Sequence, residues 1–265
     1  MSRDGLYCFT YLLLTANALP SLVGEAVQAH GWLPAGLNLF DVSAIAWLAI
    51  AAGLALLWRS GVDERPRQSD WAIAICAMVA AIVPLAPLSA AALTGVALWG
   101  WVTGRPHSSG RRAAAIFLSL SMFLIWGRVF LALGSGPLLS ADARFVSLIS
   151  GMPASGNVVE FADGTRFMIA PGCSSLHGIS LALILWTTAI AWFDYPVTAR
   201  LRWTLVLAVI ASVLVNGLRL TIIAWNPHDF VYWHVGSGGA LFGWLALCAI
   251  AGVVYTGIRG AARAS

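Results

Sequence analysis

The chain has 265 residues, of which 60% are hydrophobic and only 10% charged, and its mean hydropathy is +0.84. A soluble domain of this length needs far more polar surface, so the composition excludes one. The net charge is +4, all 15 basic residues are arginines, and they lie mainly in short connections between apolar blocks. This pattern is typical of membrane topology and argues against nucleic-acid binding.

Long apolar blocks predict about eight transmembrane helices, because several reach the roughly 18 to 20 residues that cross a bilayer. The third and fourth blocks are short, and two prolines between them, Pro84 and Pro87, predict a tight turn or a re-entrant hairpin. The predicted helices are 6–24, 42–58, 71–84, 88–103, 113–134, 173–193, 203–225 and 233–257. We therefore expect an all-α, polytopic transmembrane bundle that forms a single integral membrane domain over residues 1–265.

The arginines predict the orientation of this bundle. With the N-terminus in the cytoplasm, eleven arginines fall in cytoplasmic segments and only two, Arg144 and Arg166, in outer segments. This bias follows the positive-inside rule and predicts that both termini are cytoplasmic. Two further arginines, Arg128 and Arg219, lie within predicted helices.

The longest segment between predicted helices, 135–172, is expected to be an outer loop that precedes the helices of 173–257. Its first part, 137–152, has apolar residues at helical spacing and is expected to lie along the membrane interface. In its second part, Asp163-Gly164 stands between two runs rich in β-forming residues, which predicts a small extracytoplasmic β-hairpin.

Cys173 differs in setting from the other three cysteines, Cys8, Cys76 and Cys248, which lie inside apolar blocks as small hydrophobic residues do. It follows Pro171-Gly172 and opens the sixth predicted helix, where unpaired backbone N–H groups favour a thiolate. Ser174 can cap the same turn. The alternative is that Cys173 only fills a turn. Because no cysteine pair has CxxC or metal-ligand spacing, we expect no metal and no cofactor.

Arg219 lies about six residues from the outer end of the seventh predicted helix, at a depth of roughly 9 Å. A charge at that depth is unfavourable unless it is paired or faces a polar cavity. Asn216, three residues earlier, shares its helix face. We expect a functional, inward-facing arginine, and the alternative is a side chain that reaches the outer headgroups.

His234 opens the eighth predicted helix after a short loop, so it should lie near Arg219 on the neighbouring helix. On its own, His234 also fits an interfacial aromatic belt. His177 follows Cys173 by four residues and shares its predicted helix face; it either helps to polarise the thiol or only lies behind the residues that react. For Arg128 two roles remain open: holding a substrate carboxylate, or pairing with Asp142 or Glu160.

Three short motifs, taken in this order, resemble those of the exosortase/archaeosortase family. They are Ala170-Pro-Gly-Cys173-Ser-Ser, Asn216-Gly-Leu-Arg219 and His234 in Trp-His-Val-Gly. The resemblance covers about residues 70 to 257. One departure is Ser175, since many family members have glycine at that position.

The resemblance implies a membrane cysteine transpeptidase, with Cys173 as nucleophile, Arg219 as transition-state stabiliser and His234 as acid/base. It implies that the substrates are exported proteins with a C-terminal signal, made of a short motif, one transmembrane helix and a basic tail. It further implies a bacterial inner membrane location, an extracytoplasmic site and an acceptor nucleophile of unknown identity.

A rival hypothesis from another class is a small polytopic transporter or membrane scaffold in which Arg128 and Arg219 line an anion path. Such proteins show broken helices and internal pseudo-symmetry. Only the region around Pro84 and Pro87 is predicted to be broken.

Overall fold

The computed structural model describes residues 1–61, 64–161, 163–234 and 236–262. These residues are mainly helical, with a small sheet between the eighth and ninth helices. The helices are α1 (Arg3–Ala18), α2 (Pro20–His30), α3 (Trp32–Leu37), α4 (Ala44–Trp58), α5 (Gln68–Ile82), α6 (Ala86–Thr103), α7 (Ser109–Ser121), α8 (Gly127–Ser150), α9 (Leu176–Phe193), α10 (Ala199–Trp225), α11 (Phe230–His234) and α12 (Ser237–Ala262). The strands are β1 (Ala154–Ser155), β2 (Val158–Glu160) and β3 (Arg166–Met168).

Six helical stretches of the described chain are long and apolar enough to cross a membrane. They are Arg3–His30, Ala86–Thr103, Ser109–Ser150, Leu176–Phe193, Ala199–Trp225 and Ser237–Gly260. Two more predicted blocks correspond to α4 and α5, which are apolar but have only 15 residues each. The prediction of a polytopic transmembrane bundle is confirmed, and the chain is a multi-pass integral membrane protein.

The chain divides into two compact units. The first contains Met1–Trp126 and Ile184–Pro196. Its core includes Tyr11 of α1 and Phe117 of α7, whose rings stack with centroids 4.2 Å apart. Gly53 of α4 lies directly against the Phe117 ring, and a Cβ at this position would overlap it. The absence of a side chain therefore lets α4 approach α7 closely.

A buried ion pair joins three helices of the first unit. Arg3 Nε lies 2.9 Å from Asp70 Oδ2, and the Asp70 side chain is fully buried. Tyr7 and Trp99 donate hydrogen bonds of 2.6 and 3.0 Å to Asp70 Oδ1. These contacts satisfy a carboxylate that would otherwise be costly to bury, and they tie α1, α5 and α6 together. The positive-inside rule placed Arg3 in a cytoplasmic segment and did not predict its contact with Asp70.

The second unit contains Gly127–Leu183 and the chain from Val197 onward. Within it α10 packs against both α12 and α8. Close approach again depends on glycine, because a Cβ on Gly217 of α10 would overlap the Phe145 ring of α8. A Cβ on Gly257 of α12 would similarly overlap Thr204 of α10. The long helix α10 is therefore held on two sides.

The predicted hairpin is present as part of a three-stranded antiparallel sheet in the order β1-β2-β3. Val159 pairs with Phe167 in the centre of the β2–β3 ladder. Gly164 has a φ of +82° in the connecting turn, a conformation that favours glycine. Asp163 accepts hydrogen bonds from the Thr165 N–H (2.9 Å) and hydroxyl (2.6 Å), which fixes the turn.

Residues 137–150 of the predicted segment 135–172 are helical, as their spacing indicated, and they form the second part of α8, which ends at Ser150. Five residues in π-helical conformation, Met122–Trp126, join α7 to α8. The helix then bends at Gly134, which has φ −148° and ψ 32°. Pro137 lies three residues later, where a new helical turn begins and a missing N–H does little harm. The helix predicted to end at residue 134 and the helical spacing predicted over 137–152 thus correspond to the two parts of α8 on either side of Gly134.

Several predicted helix ends also need correction. The first helix ends at Ala18, and a second helix begins at Pro20. α9 begins at Leu176, so Cys173 lies in a 3-10 turn before the helix instead of opening it. His234 ends the short helix α11, which precedes α12. Cys173 and His234 therefore lie on connections between long helices, whereas Asn216 and Arg219 lie within α10.

Candidate active site

Cys173 is the last residue of a 3-10 turn, Pro171–Cys173, that connects β3 to α9. Pro171 fixes the first φ of the turn, and the Cys173 N–H donates a 2.9 Å hydrogen bond to the Ala170 carbonyl. The side chain is 5% exposed. A short, hydrogen-bonded turn thus holds the thiol at the edge of a buried cluster.

His234 lies in direct contact with this thiol. The distance from Cys173 Sγ to His234 Nε2 is 2.9 Å, and either atom is the donor depending on the tautomer. Sixty-one residues separate the two in the chain. The structure therefore brings together the predicted nucleophile and the predicted acid/base within reach of proton transfer.

A row of aromatic rings supports the His234 imidazole. Phe230, one helical turn earlier in α11, stacks on it with ring centroids 4.8 Å apart and planes 14° apart. Phe167 of β3 packs edge-on against Phe230 at 5.5 Å, and Phe161 stacks on Phe167 at 5.5 Å. The hairpin is thereby in contact with the helix that carries the imidazole.

α10 contributes Asn216 and Arg219 to the same site. Asn216 Nδ2 donates a 2.9 Å hydrogen bond to the Cys173 carbonyl, which anchors the turn to this helix. Arg219 interacts electrostatically with Cys173, His177 and His234. Its Nε is buried and, within the described part of the chain, makes no hydrogen bond. Cys173 and His234 are thus in direct contact and Arg219 interacts electrostatically with both, and the catalytic roles of the three residues stay predictions.

The expectation of a resting thiolate is not met. Burial raises the pKa of the Cys173 thiol, and this outweighs the opposing effects of Arg219 and the hydrogen bond at Ala170. Burial also lowers the pKa of His234, and the Arg219 charge lowers it further. Both shifts favour a neutral thiol beside a neutral imidazole. The helix N-terminus that was expected to favour the thiolate begins three residues beyond Cys173.

Asp142 is a component of the site that the sequence did not reveal. It lies on α8, its carboxylate accepts a 3.0 Å hydrogen bond from the Ser175 N–H, and it also accepts one from the Ser175 hydroxyl. Asp142 is only 6% exposed. The carboxylate therefore binds the segment between Cys173 and α9. The sequence analysis named Asp142 only as a possible partner of Arg128, and helical spacing across the bend at Gly134 could not predict its contact with Ser175.

The remaining predicted residues differ in their relation to the thiol. Ser174 is buried, and its hydroxyl accepts a 3.1 Å hydrogen bond from the Leu176 N–H, as expected of a cap. His177 lies in the first turn of α9, but Cys173 is outside that helix, so the shared-face argument fails. Arg128 is exposed, and no ion pair connects it to Asp142 or Glu160 in the described ranges.

Among the described residues, no group of three or more His, Cys, Asp or Glu side chains could hold a metal ion. A comparison with family models gave one match, to the transmembrane exosortases, over residues 38–251. This match covers well over half of the chain. The chain belongs to the transmembrane exosortase family. Exosortase membership gives it, in general terms, a membrane transpeptidase-like function.

The predicted resemblance to exosortases is therefore confirmed at the level of the family. The matched range includes the nucleophile turn, α10 and α11, so all three motifs lie inside the exosortase region. No curated protein and no solved structure matched the chain.

Proposed function

We propose that this exosortase is a cysteine transpeptidase that cleaves the C-terminal sorting segments of exported proteins and transfers the cleaved proteins to an acceptor. The observation that carries the proposal is the 2.9 Å contact between Cys173 Sγ and His234 Nε2. A thiol beside an imidazole, with an arginine within electrostatic range, is the arrangement that nucleophilic acyl transfer needs.

In the first half-reaction the thiol proton moves to His234 Nε2 as Cys173 Sγ bonds to the carbonyl carbon of the scissile peptide. The carbonyl oxygen takes up the electron pair and becomes an oxyanion, which the guanidinium of Arg219 stabilises. Collapse of this intermediate breaks the C–N bond. The leaving amine takes the proton from the His234 imidazolium, and an acyl thioester remains on Cys173.

In the second half-reaction an acceptor nucleophile attacks the thioester carbon. His234 takes the acceptor's proton, the Cys173 thiolate leaves, and the imidazolium returns the proton to it. A neutral resting pair suits this cycle, because His234 must be unprotonated to receive a proton in each half-reaction.

We further propose that the reaction takes place at the outer face of a bacterial inner membrane. The distribution of arginines supports cytoplasmic termini, and with them an outer position for the hairpin and the Cys173 turn. The substrates are exported proteins that end in a short motif, one transmembrane helix and a basic cytoplasmic tail. Such a helix can lie in the bilayer beside the enzyme and present its scissile peptide at the outer surface.

The experiment is a processing assay in membranes with an exported reporter. The reporter carries the C-terminal segment of a protein from the same genome that ends in a short motif, one apolar helix and an arginine-rich tail. Cys173→Ala should leave the uncleaved precursor in the membrane, whereas Cys248→Ala, a control on α12, should process it like the wild type. Normal processing by Cys173→Ala contradicts the proposal.

Thiol labelling separates the enzyme from the rival transporter or scaffold. A small membrane-impermeant maleimide applied from outside should label Cys173, and prior incubation with excess reporter segment should slow this labelling. Equal labelling with and without the reporter segment, together with no processing of the reporter by the wild-type protein, supports the rival.

A further inference from the structure

The strand β3 forms one edge of the small sheet, since the strand order is β1-β2-β3. The backbone N–H and C=O groups of successive residues in this strand point alternately towards β2 and away from it. Phe161 N–H bonds to the Thr165 carbonyl and Ile169 N–H to the Asn157 carbonyl, so residues 165, 167 and 169 point their backbone groups towards β2. Arg166 and Met168 then point their N–H and C=O groups away from the sheet, along its free edge.

This free edge is accessible in the structure. The side chains of Arg166 and Met168 are exposed, and that of Met168 is 61% exposed. Within the described ranges, no backbone hydrogen bond outside the ladder involves either residue. Phe167 and Ile169, by contrast, pack against the buried cluster of the second unit. An unpaired edge with a fixed register is a ready template for an additional strand.

The edge leads directly to the nucleophile. The Ala170 carbonyl, two residues beyond Met168, accepts the Cys173 N–H at 2.9 Å. The same strand carries Phe167, whose ring contacts Phe230 next to the imidazole. A chain paired with β3 thus runs along the strand from which the Cys173 turn begins.

We propose that the substrate segment before the scissile bond binds as an extended strand on the free edge of β3. Its backbone pairs with the outward N–H and C=O groups of Arg166 and Met168 and so delivers the scissile carbonyl to Cys173. This inference rests on the proposed function. Recognition is then largely through main-chain hydrogen bonds, and alternate substrate side chains face opposite sides of the sheet.

A second copy of the chain is the other candidate occupant, with two β3 edges pairing to form a dimer. The substrate is favoured because the edge continues into the nucleophile turn, whereas an edge-to-edge dimer would block that approach. The outcome of a cross-linking test separates the two.

Proline substitution tests the edge, because it removes one outward N–H and leaves the β2–β3 ladder intact. Met168→Pro, compared with Met168→Ala, should lower reporter processing at least about fivefold through loss of a main-chain hydrogen bond. The matched control is Ala154→Pro on β1. The Ala154 N–H points outward from the opposite edge, since Glu160 N–H bonds to Pro153 and Ser155 pairs with Val158. Ala154→Pro should process the reporter like the wild type.

A proline scan of the reporter keeps the test independent of enzyme folding. Single prolines at the four residues before the cleavage site should reduce processing at alternate positions, because only alternate residues of an added strand donate to β3. Uniform effects along the scan, or equal processing by Met168→Pro and Met168→Ala, overturn the inference while the proposed function stands. Cleavage of the reporter by Cys173→Ala overturns the proposed function itself. A disulfide-linked dimer of Met168→Cys in membranes without reporter favours the second copy and contradicts the inference.

Discussion

The contact between Asp142 and Ser175 is expected to hold the nucleophile turn in place. Replacing Asp142 by alanine removes the carboxylate that accepts both the Ser175 N–H and the Ser175 hydroxyl. A hydrogen bond to a charged group contributes roughly 1.5–3 kcal/mol, and a buried donor left without a partner is unfavourable by a similar amount. We expect Asp142→Ala to lower the free energy of unfolding by about 3 kcal/mol.

The control is Asp142→Asn, which keeps the shape of the side chain. Its carboxamide oxygen can accept the Ser175 N–H while its nitrogen donates to the Ser175 hydroxyl, so both contacts survive without the charge. Asp142→Asn should therefore retain most of the stability and most of the processing activity. Asp142→Ala should lose both and should label faster with maleimide, because the Cys173 turn loosens.

Denaturant unfolding in detergent micelles and maleimide kinetics measure these effects. A double-mutant cycle with Ser175→Ala isolates the hydroxyl contact, and its coupling energy should be about 1.5–3 kcal/mol. Additive effects in this cycle, or equal damage by Asp142→Asn and Asp142→Ala, refute the reasoning. Additive effects would mean that the hydrogen bond between Asp142 and the Ser175 hydroxyl does not contribute to stability. Equal damage would mean that the charge of Asp142, and not its hydrogen bonds, stabilises the turn.

Two further predictions concern the thiol and the imidazole. Because burial raises the pKa of Cys173 and Arg219 opposes that rise, alkylation of Cys173 by iodoacetamide should increase with pH. Its inflection should lie above that of an ordinary thiol, and Arg219→Gln should move the inflection to still higher pH; a shift to lower pH contradicts the geometry. Phe230→Ala removes the ring stacked on His234, so kcat for reporter processing should fall about tenfold with little change in KM. Phe230→Tyr should restore kcat. An unchanged kcat in Phe230→Ala would show that the stacked ring is not needed to position the His234 imidazole.

The sequence predicted the features that depend on local pattern. Apolar blocks of sufficient length gave the helices, and Asp163-Gly164 gave the hairpin, because each requires only neighbouring residues. The choice of Cys173, Arg219 and His234 rested on motif order and on helices that are adjacent in the chain. Their observed proximity follows from the same short connections.

Features that depend on tertiary contacts were not predictable in this way. The partners of Asp142 and Arg3 lie 33 and 67 residues away, and no periodicity encodes such pairings. The prediction that Cys173 is a thiolate was wrong for two reasons. A helix N-terminus acts only over its first turn, and the burial of the thiol was not visible in the sequence.

The aromatic row from the hairpin to His234 limits how the hairpin can vary. Phe161 directly follows β2 and Phe167 lies in β3, yet both rings belong to the row that reaches the imidazole through Phe230. We expect that the exposed turn at Asp163 and Gly164 can change length without moving these rings. A single residue inserted between Phe167 and Cys173, by contrast, should move the thiol away from His234, because Phe167 is held against the ring that stacks on this imidazole. The reactivity of the Cys173 thiol therefore depends on the number of residues between Phe167 and Cys173 as well as on the chemistry of the side chains.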